Sequence, residues 1–203
     1  MLFRTKFPWR QALALFLLFL CFTALWAQAQ QTQLAEKVIR LHVLANSDSQ
    51  ADQALKLKVR DRVLAEARPL LADVENAVEA EAVLSENLPA LTEAARREIK
   101  EQGYGYPVTV TLEDQWFPTR TYGTAALPAG TYRALRVTVG DGAGHNWWCV
   151  VFPSLCLPAV SETSLQAAGL SGEEIALITE ESPRYVFRFK TIEWWETLKH
   201  TLS

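Results

Sequence analysis

The spacing of apolar residues predicts one strand followed by three helices in the first half of the chain. Ile39, Leu41 and Val43 stand at every second position of residues 38–45, which is the two-residue period of a strand. Over residues 50–68 the apolar positions instead recur every three or four residues, as on one face of a helix, with a stripe at Leu55, Val59 and Val63. Two pairs before this helix, Ser47 with Gln50 and Ser49 with Asp52, have capping-box spacing or close to it. The same helical period predicts two further helices, over residues 74–87 and 89–102.

The second half of the chain is predicted to be mostly strand. The two-residue period returns at Val108, Val110 and Leu112, and again within residues 132–139. Residues 146–152 form an apolar run, which predicts a strand buried on both faces. A short strand is predicted at residues 119–122. This order predicts a two-layer α+β fold, in which helices pack on one face of a mixed or antiparallel sheet.

The N-terminus has the three parts of a secretory signal peptide. Its first ten residues are basic, residues 12–27 form an apolar run, and a small-x-small triplet ends at Ala29. The apolar run is shorter than the roughly 20 residues that a membrane-spanning helix needs. We therefore predict cleavage between Ala29 and Gln30, and the alternative is an uncleaved anchor. In both cases the rest of the chain is expected outside the cytoplasm.

Four segments follow from these patterns. The predicted order is a signal peptide or anchor at 1–29, a polar lead-in at 30–37, an α+β domain at 38–158, and a linker with a C-terminal tail at 159–203. Within the tail we predict a helix over 171–181, an aromatic strand over 185–190, and a final amphipathic turn that carries Trp194 and Trp195.

The charge of the predicted mature protein argues against nucleic acid as a partner. The whole chain has 20 basic and 23 acidic residues. Removing Arg4, Lys6 and Arg10 with the signal peptide leaves 17 basic against 23 acidic residues, a net charge of −6. A protein this acidic is repelled by a polyanion.

The mature chain keeps two cysteines, Cys149 and Cys156. Outside the cytoplasm such a pair is a disulfide candidate, and Pro153 and Ser154 can reverse the chain between them. The alternative is two small buried apolar side chains. A metal site is not expected, because this pair has no nearby histidine to complete a ligand set.

Histidine and cysteine chemistry provides the catalytic alternative. An exported hydrolase of the cell-wall or thiol type could use His42, Asp48 or Cys149, with His145 near them. The sequence contains neither a G-x-S-x-G nor an H-E-x-x-H motif. A structural, hydrogen-bonded histidine is the simpler interpretation, so we predict no catalytic residues, no cofactor and no small-molecule substrate.

Two adjacent tryptophans, Trp147 and Trp148, lie on the last strand of the predicted domain. Neighbouring side chains on a strand point to opposite faces, so one ring is expected in the core, and the other is expected either to cover the helical layer or to stand exposed. A second tryptophan pair, Trp194 and Trp195, lies near Arg188 and Lys190 in the tail. Aromatic residues with basic neighbours are typical of a membrane surface or a protein interface, and core packing of a C-terminal element is the alternative for this pair.

Three strings of residues together resemble one known family. They are 38–49 (VIRLHVLANSDS) with 52–61 (DQALKLKVRD); Tyr122-Gly123 with 127–132 (LPAGTY) and 134–135; and Gly140 with 146–153 (NWWCVVFP) as far as Cys156. The chain is similar in these strings to the stage II sporulation protein R family of endospore-forming bacteria. The resemblance covers about residues 38–158, and the tail matches less clearly.

The resemblance implies a signalling role during sporulation. Proteins of this family are expected to be exported from the forespore into the space between its membrane and that of the mother cell. There the resemblance implies that the protein activates a membrane-embedded aspartic protease, which cleaves the precursor of the mother-cell sigma-E factor. The family offers no catalytic residues to transfer to this chain.

We predict one contact surface for this partner, at the junction of the first strand and first helix beside the tryptophan strand. The junction is rich in polar groups beyond what helix capping requires. The alternative is that these residues serve capping and core packing alone. The predicted contact residues are His42, Asn46, Ser47, Asp48, Trp147 and Trp148.

Overall fold

A computed structural model describes residues 9–122 and 125–153. The predicted tail helix, the aromatic strand and the turns with Trp194 and Trp195 lie outside these residues, as does Cys156. The described helices are α1 (Trp9–Ala35), α2 (Gln50–Leu70), α3 (Ala77–Glu86) and α4 (Leu88–Glu101). The described strands are β1 (Ile39–Leu44), β2 (Val108–Phe117), β3 (Arg120–Tyr122), β4 (Ala125–Leu127), β5 (Gly130–Val139) and β6 (Asn146–Phe152).

Four of the strands form a mixed sheet in the order β2-β5-β1-β6. β1 runs parallel to β5, and it runs antiparallel to β6. β2 runs antiparallel to β5. β3 and β4 pair with each other in a separate two-stranded ribbon. The predicted α+β class with a mixed sheet is therefore confirmed for the described residues.

The main core lies between the sheet and helices α2, α3 and α4. On the sheet side it contains Ile39, Leu41 and Val43 of β1 with Leu135 and Val137 of β5. Each side chain of this size stabilises the fold by about 1.5–3 kcal/mol when it is fully buried. The helices contribute Leu84 together with the apolar positions that the helical period predicted: Leu55, Val59, Val63, Leu91, Ala95 and Ile99.

The opposite face of the sheet carries a second, smaller core. Arg40 is fully buried there, and its guanidinium carbon lies 4.1 Å from the ring centroid of Phe117 and 4.9 Å from that of Tyr132. Leu34, near the end of α1, is 0% exposed and belongs to the same cluster. The prediction that helices pack on one face alone is therefore wrong, because the end of α1 covers part of the other face.

Strand β6 differs from its prediction because it is an edge strand of the sheet. Its first residues, Asn146 and Trp147, are exposed, whereas its second half from Cys149 to Phe152 is buried. The prediction of burial on both faces holds only for that second half. β1 has the reverse pattern, since all six of its residues are buried although their alternation is typical of a strand with one solvent face.

Helix α1 extends without a break through the predicted cleavage position between Ala29 and Gln30. The segment interpreted as a lead-in, residues 30–37, thus contains the last turns of this helix. Within the described residues, no helix is long and apolar enough to cross a membrane. The signal peptide and its cleavage position stay predictions.

Candidate functional site

The junction between β1 and α2 is organised around the buried carboxylate of Asp52. Ser47 Oγ donates to Asp52 Oδ2 at 2.6 Å, and Asn46 Nδ2 donates to the same oxygen at 3.0 Å. The backbone N–H of Asp52 donates to Ser49 Oγ at 3.1 Å, which makes Ser49 the N-cap of α2, as its spacing predicted. The hydrogen bond from Ser47, followed by that from Asn46, lowers the pKa of Asp52 below its ordinary value.

The loop between β5 and β6 packs directly onto this junction. The backbone N–H of Asp141 donates to Asn46 Oδ1 at 3.1 Å, and that of Gly144 donates to the carbonyl of Ala45 at 3.0 Å. The side chain of Asn46 therefore uses both its amide nitrogen and its oxygen within the protein. Loop and junction form one hydrogen-bonded unit although about a hundred residues of chain separate them.

Asp48 and His145 form an exposed pair at the rim of the same unit. The backbone N–H of His145 donates to Asp48 Oδ1 at 2.6 Å, and the imidazole Nδ1 contacts the same oxygen. The backbone hydrogen bond is the largest cause of the lowered pKa of Asp48. Lys56 Nζ donates to the carbonyl of His145 at 2.9 Å, and burial lowers the pKa of this amine.

His42 lies on the other face of the sheet, away from this unit. Its Nδ1 is 2.9 Å from Gln115 Oε1, and its Nε2 is 2.7 Å from Asn146 Oδ1. Burial is the largest influence on the imidazole and lowers its pKa, so the ring is neutral at neutral pH. Its ring centroid lies 5.8 Å from that of Trp148. The arrangement is that of a packed, hydrogen-bonded structural histidine.

The two tryptophans point to opposite faces, as their adjacency predicted. Trp147 is 37% exposed on the helical side, where the Arg60 guanidinium carbon lies 4.4 Å from the ring centroid. Trp148 is half-buried on the other face beside His42. Its ring centroid lies 4.2 Å from the guanidinium carbon of Arg120.

The six predicted contact residues therefore occupy three places instead of one surface. Asn46, Ser47 and Asp48 belong to the junction, Trp147 lies on the helical side, and His42 and Trp148 share the opposite face. Their role in binding a partner stays a prediction. Asn46, Ser47 and Asp48 all form hydrogen bonds within the protein. For these three residues, that supports the alternative of a structural role over a role in partner binding.

The hydrolase hypothesis required His42, Asp48 or Cys149 to act as a catalytic group. Asp48 meets His145 and not His42, and Cys149 packs in the main core, on the face opposite to His42. Cys149 is also held in a disulfide, so its sulfur is not a free thiol. Since Cys156 lies outside the described residues, the Cys149–Cys156 pairing stays a prediction. Among the described residues no His, Cys, Asp and Glu side chains group as a metal site.

Sequence patterns missed two residues that the structure makes important. Asp52 stood out only as the partner of Ser49 in a capping box, but its carboxylate also holds the junction. Arg120 had no signal at all, because nothing in a single sequence shows that it stacks on Trp148.

We expect Asp52→Asn to lower the melting temperature by about 5 °C at pH 7, because an amide nitrogen would face donors that need an acceptor. The pKa of Asp52 is lowered in the folded protein, so its contribution is present above the ordinary carboxyl pKa of about 4 and is lost as pH falls through the folded value. The difference from wild type should therefore shrink on acidification, measured by thermal unfolding at a series of pH values.

The matched control for this prediction is Glu86→Gln, an exposed acid at the end of α3. It removes the same charge without touching the junction and should melt within about 1 °C of wild type. Equal melting temperatures for Asp52→Asn and wild type at pH 7 would contradict the role assigned to this carboxylate.

Comparison with known proteins finds two similarities. The family model described as "Stage II sporulation protein R" matches residues 35–162. A curated protein named "Stage II sporulation protein R", from Bacillus subtilis (strain 168), is 39% identical over 134 residues. The match covers 66% of this chain and 60% of that protein, so the chain spans less than two thirds of the relative's length. No solved structure matches the chain.

Proposed function

Because the chain belongs to the stage II sporulation protein R family, we propose that it is an exported signalling protein of sporulation. In this proposal it activates a membrane-embedded aspartic protease, which processes the precursor of the mother-cell sigma-E factor. The protein acts from the space between the forespore and mother-cell membranes, and it contributes binding energy and no chemistry of its own.

The family match is the observation that carries this proposal. The matched residues 35–162 include β1–β6 and α2–α4, so the similarity extends over the sheet and its helical layer and not over a short motif. The predicted signal peptide lies before the matched region and supports export independently of it.

The arrangement of the candidate catalytic groups supports signalling by contact over hydrolysis. A nucleophile and its base must lie within hydrogen-bond reach of each other. His42 instead bonds two amide side chains, and Cys149 is oxidised in the core on the other side of the sheet. No observation in the described residues favours the hydrolase, so it is not proposed as a second function.

Activation by contact requires differential binding. A ligand shifts a protease toward its active form only if it binds that form more tightly than the inactive form. A shift from about 1% to 99% active needs roughly a 10⁴-fold difference in affinity. The contact must therefore include groups that meet the protease only in its active arrangement.

The test is to produce the full chain, the protease and the sigma-factor precursor together in a bacterium that does not sporulate. We expect cleaved precursor only when all three are present. The control replaces the catalytic aspartates of the protease, which should abolish cleavage while the chain is still made and exported. Intact precursor in the presence of all three proteins, or cleavage by the chain with the inactive protease, would overturn the proposal.

A further inference from the structure

Each of the two adjacent tryptophans of β6 lies under an arginine, on opposite faces of the sheet. On the helical side the guanidinium carbon of Arg60 is 4.4 Å from the ring centroid of Trp147. On the other side Arg120 is 4.2 Å from the centroid of Trp148. A guanidinium stacked on an indole ring is held by cation–π attraction, while its N–H groups remain directed outward in its plane.

The two stacks differ in what satisfies the arginine charge. The guanidinium of Arg60 bonds Asp61 Oδ1 from Nη2 at 2.7 Å and from Nε at 2.8 Å. Arg120 is exposed, and within residues 9–122 and 125–153 it forms no ion pair with a carboxylate. Within the described residues, the Arg60–Trp147 stack therefore includes a carboxylate, and the Arg120–Trp148 stack does not.

The acid of β2 that lies on the same sheet face as Trp148 already has a partner. Glu113, on β2, lies opposite Ala134 of the second core and is therefore on this face. Its Oε1 is already 2.9 Å from Nη1 of Arg136.

We propose that the Arg120–Trp148 stack binds a carboxylate side chain on an acidic segment of the partner protein. This inference rests on the proposed function and deepens it, since it assigns the contact to the face of the sheet opposite α2–α4. A stacked guanidinium is already oriented, so it can donate two parallel hydrogen bonds to one carboxylate with little further loss of side-chain freedom. Arginine and tryptophan are also the residues most enriched among those that dominate interface energies.

Charge reversal and a matched pair of conservative variants test the inference in the full chain. Arg120→Glu should reduce capture of the detergent-solubilised protease by the tagged chain about tenfold or more, because it places a negative charge opposite the carboxylate. Arg120→Lys keeps the charge but loses the planar, two-bond geometry, and should reduce capture by a smaller factor. Arg60→Lys, at the stack that has its own acid, should bind like wild type.

Three results would overturn the inference, and they are distinguishable. If wild type captures no protease, the proposed function fails and the inference fails with it. If wild type captures the protease and Arg120→Glu does so equally well while its melting curve is unchanged, the inference alone fails. If Arg120 is instead required for binding to protein-free phosphatidylglycerol vesicles, the ligand is a lipid headgroup and not an acidic segment.

Discussion

Replacing Phe117 with alanine is expected to lower the free energy of unfolding by about 3–5 kcal/mol. The ring is fully buried at the end of β2, and it lies edge-on to Tyr132 at a centroid distance of 6.0 Å. It also lies under the guanidinium of Arg40. Gly130 lies directly opposite Phe117 across β2 and β5, so no side chain at the opposite position fills the space that the ring would leave.

The expected loss of unfolding free energy has two parts, the buried apolar volume and the contact of the ring with Arg40, and a second variant separates them. Phe117→Leu keeps most of the buried apolar volume and removes the ring that faces Arg40, so it should cost less than the alanine variant. Val78→Ala is the surface control, because Val78 is 79% exposed on α3 and its replacement should change stability by no more than about 0.5 kcal/mol. Denaturant unfolding of all three variants measures the series.

A loss of less than about 1 kcal/mol for Phe117→Ala would show that the second core contributes little to stability. Leu34, at the end of α1, is buried in the same cluster as Phe117. A small loss would therefore also show that the end of α1 contributes little to stability through this cluster. A large loss, by contrast, would show that the face carrying His42 and Trp148 depends on this core for its shape.

Features that depend on local spacing were predictable from the sequence. The stripe of Leu55, Val59 and Val63 predicted α2, and these residues are buried in the main core. The capping-box spacing left Ser47 and Ser49 as N-cap candidates, and the structure shows that Ser49 is the N-cap. In each case neighbours within four residues determine the outcome, so a single sequence contains the necessary information.

Features that depend on distant partners were not predictable. Arg40 and His42 occupy alternate positions of β1, a pattern that is typical of a solvent-exposed face. They are buried because Phe117, Tyr132 and Trp148 cover them, and those residues come more than seventy positions later in the chain.

The position of a strand within a sheet is a second property that its own sequence does not contain. The apolar run of β6 predicted an interior strand, but the order β2-β5-β1-β6 places it at an edge. The order depends on which strands pair, and β1 pairs with β5 and β6 at long range. The exposure of Trp147 follows from that edge position, so the sequence of β6 alone could not show whether this ring is exposed or buried.

Replacing Gly144 with alanine is expected to destabilise the protein by about 1–3 kcal/mol, the range for forcing extra atoms into a packed region. A Cβ at this position would lie 2.2 Å from the carbonyl oxygen of Ser47, which belongs to the backbone and cannot rotate away. The loop between β5 and β6 would have to move off the junction. That movement would break the hydrogen bond from Gly144 N–H to the Ala45 carbonyl.

Gly105→Ala is the matched control for this variant, because no atom lies within 4 Å of a Cβ at Gly105. Alanine there restricts the unfolded chain without a clash, so it should leave stability unchanged or raise it by about 0.4–1 kcal/mol. Thermal and denaturant unfolding measure both variants. If Gly144→Ala unfolds like Gly105→Ala, the loop is not fixed to the junction. In the structure, Asn46 and Asp48 accept hydrogen bonds from this loop, which occupies their side chains. Without that attachment, both side chains would be available for the predicted partner contact.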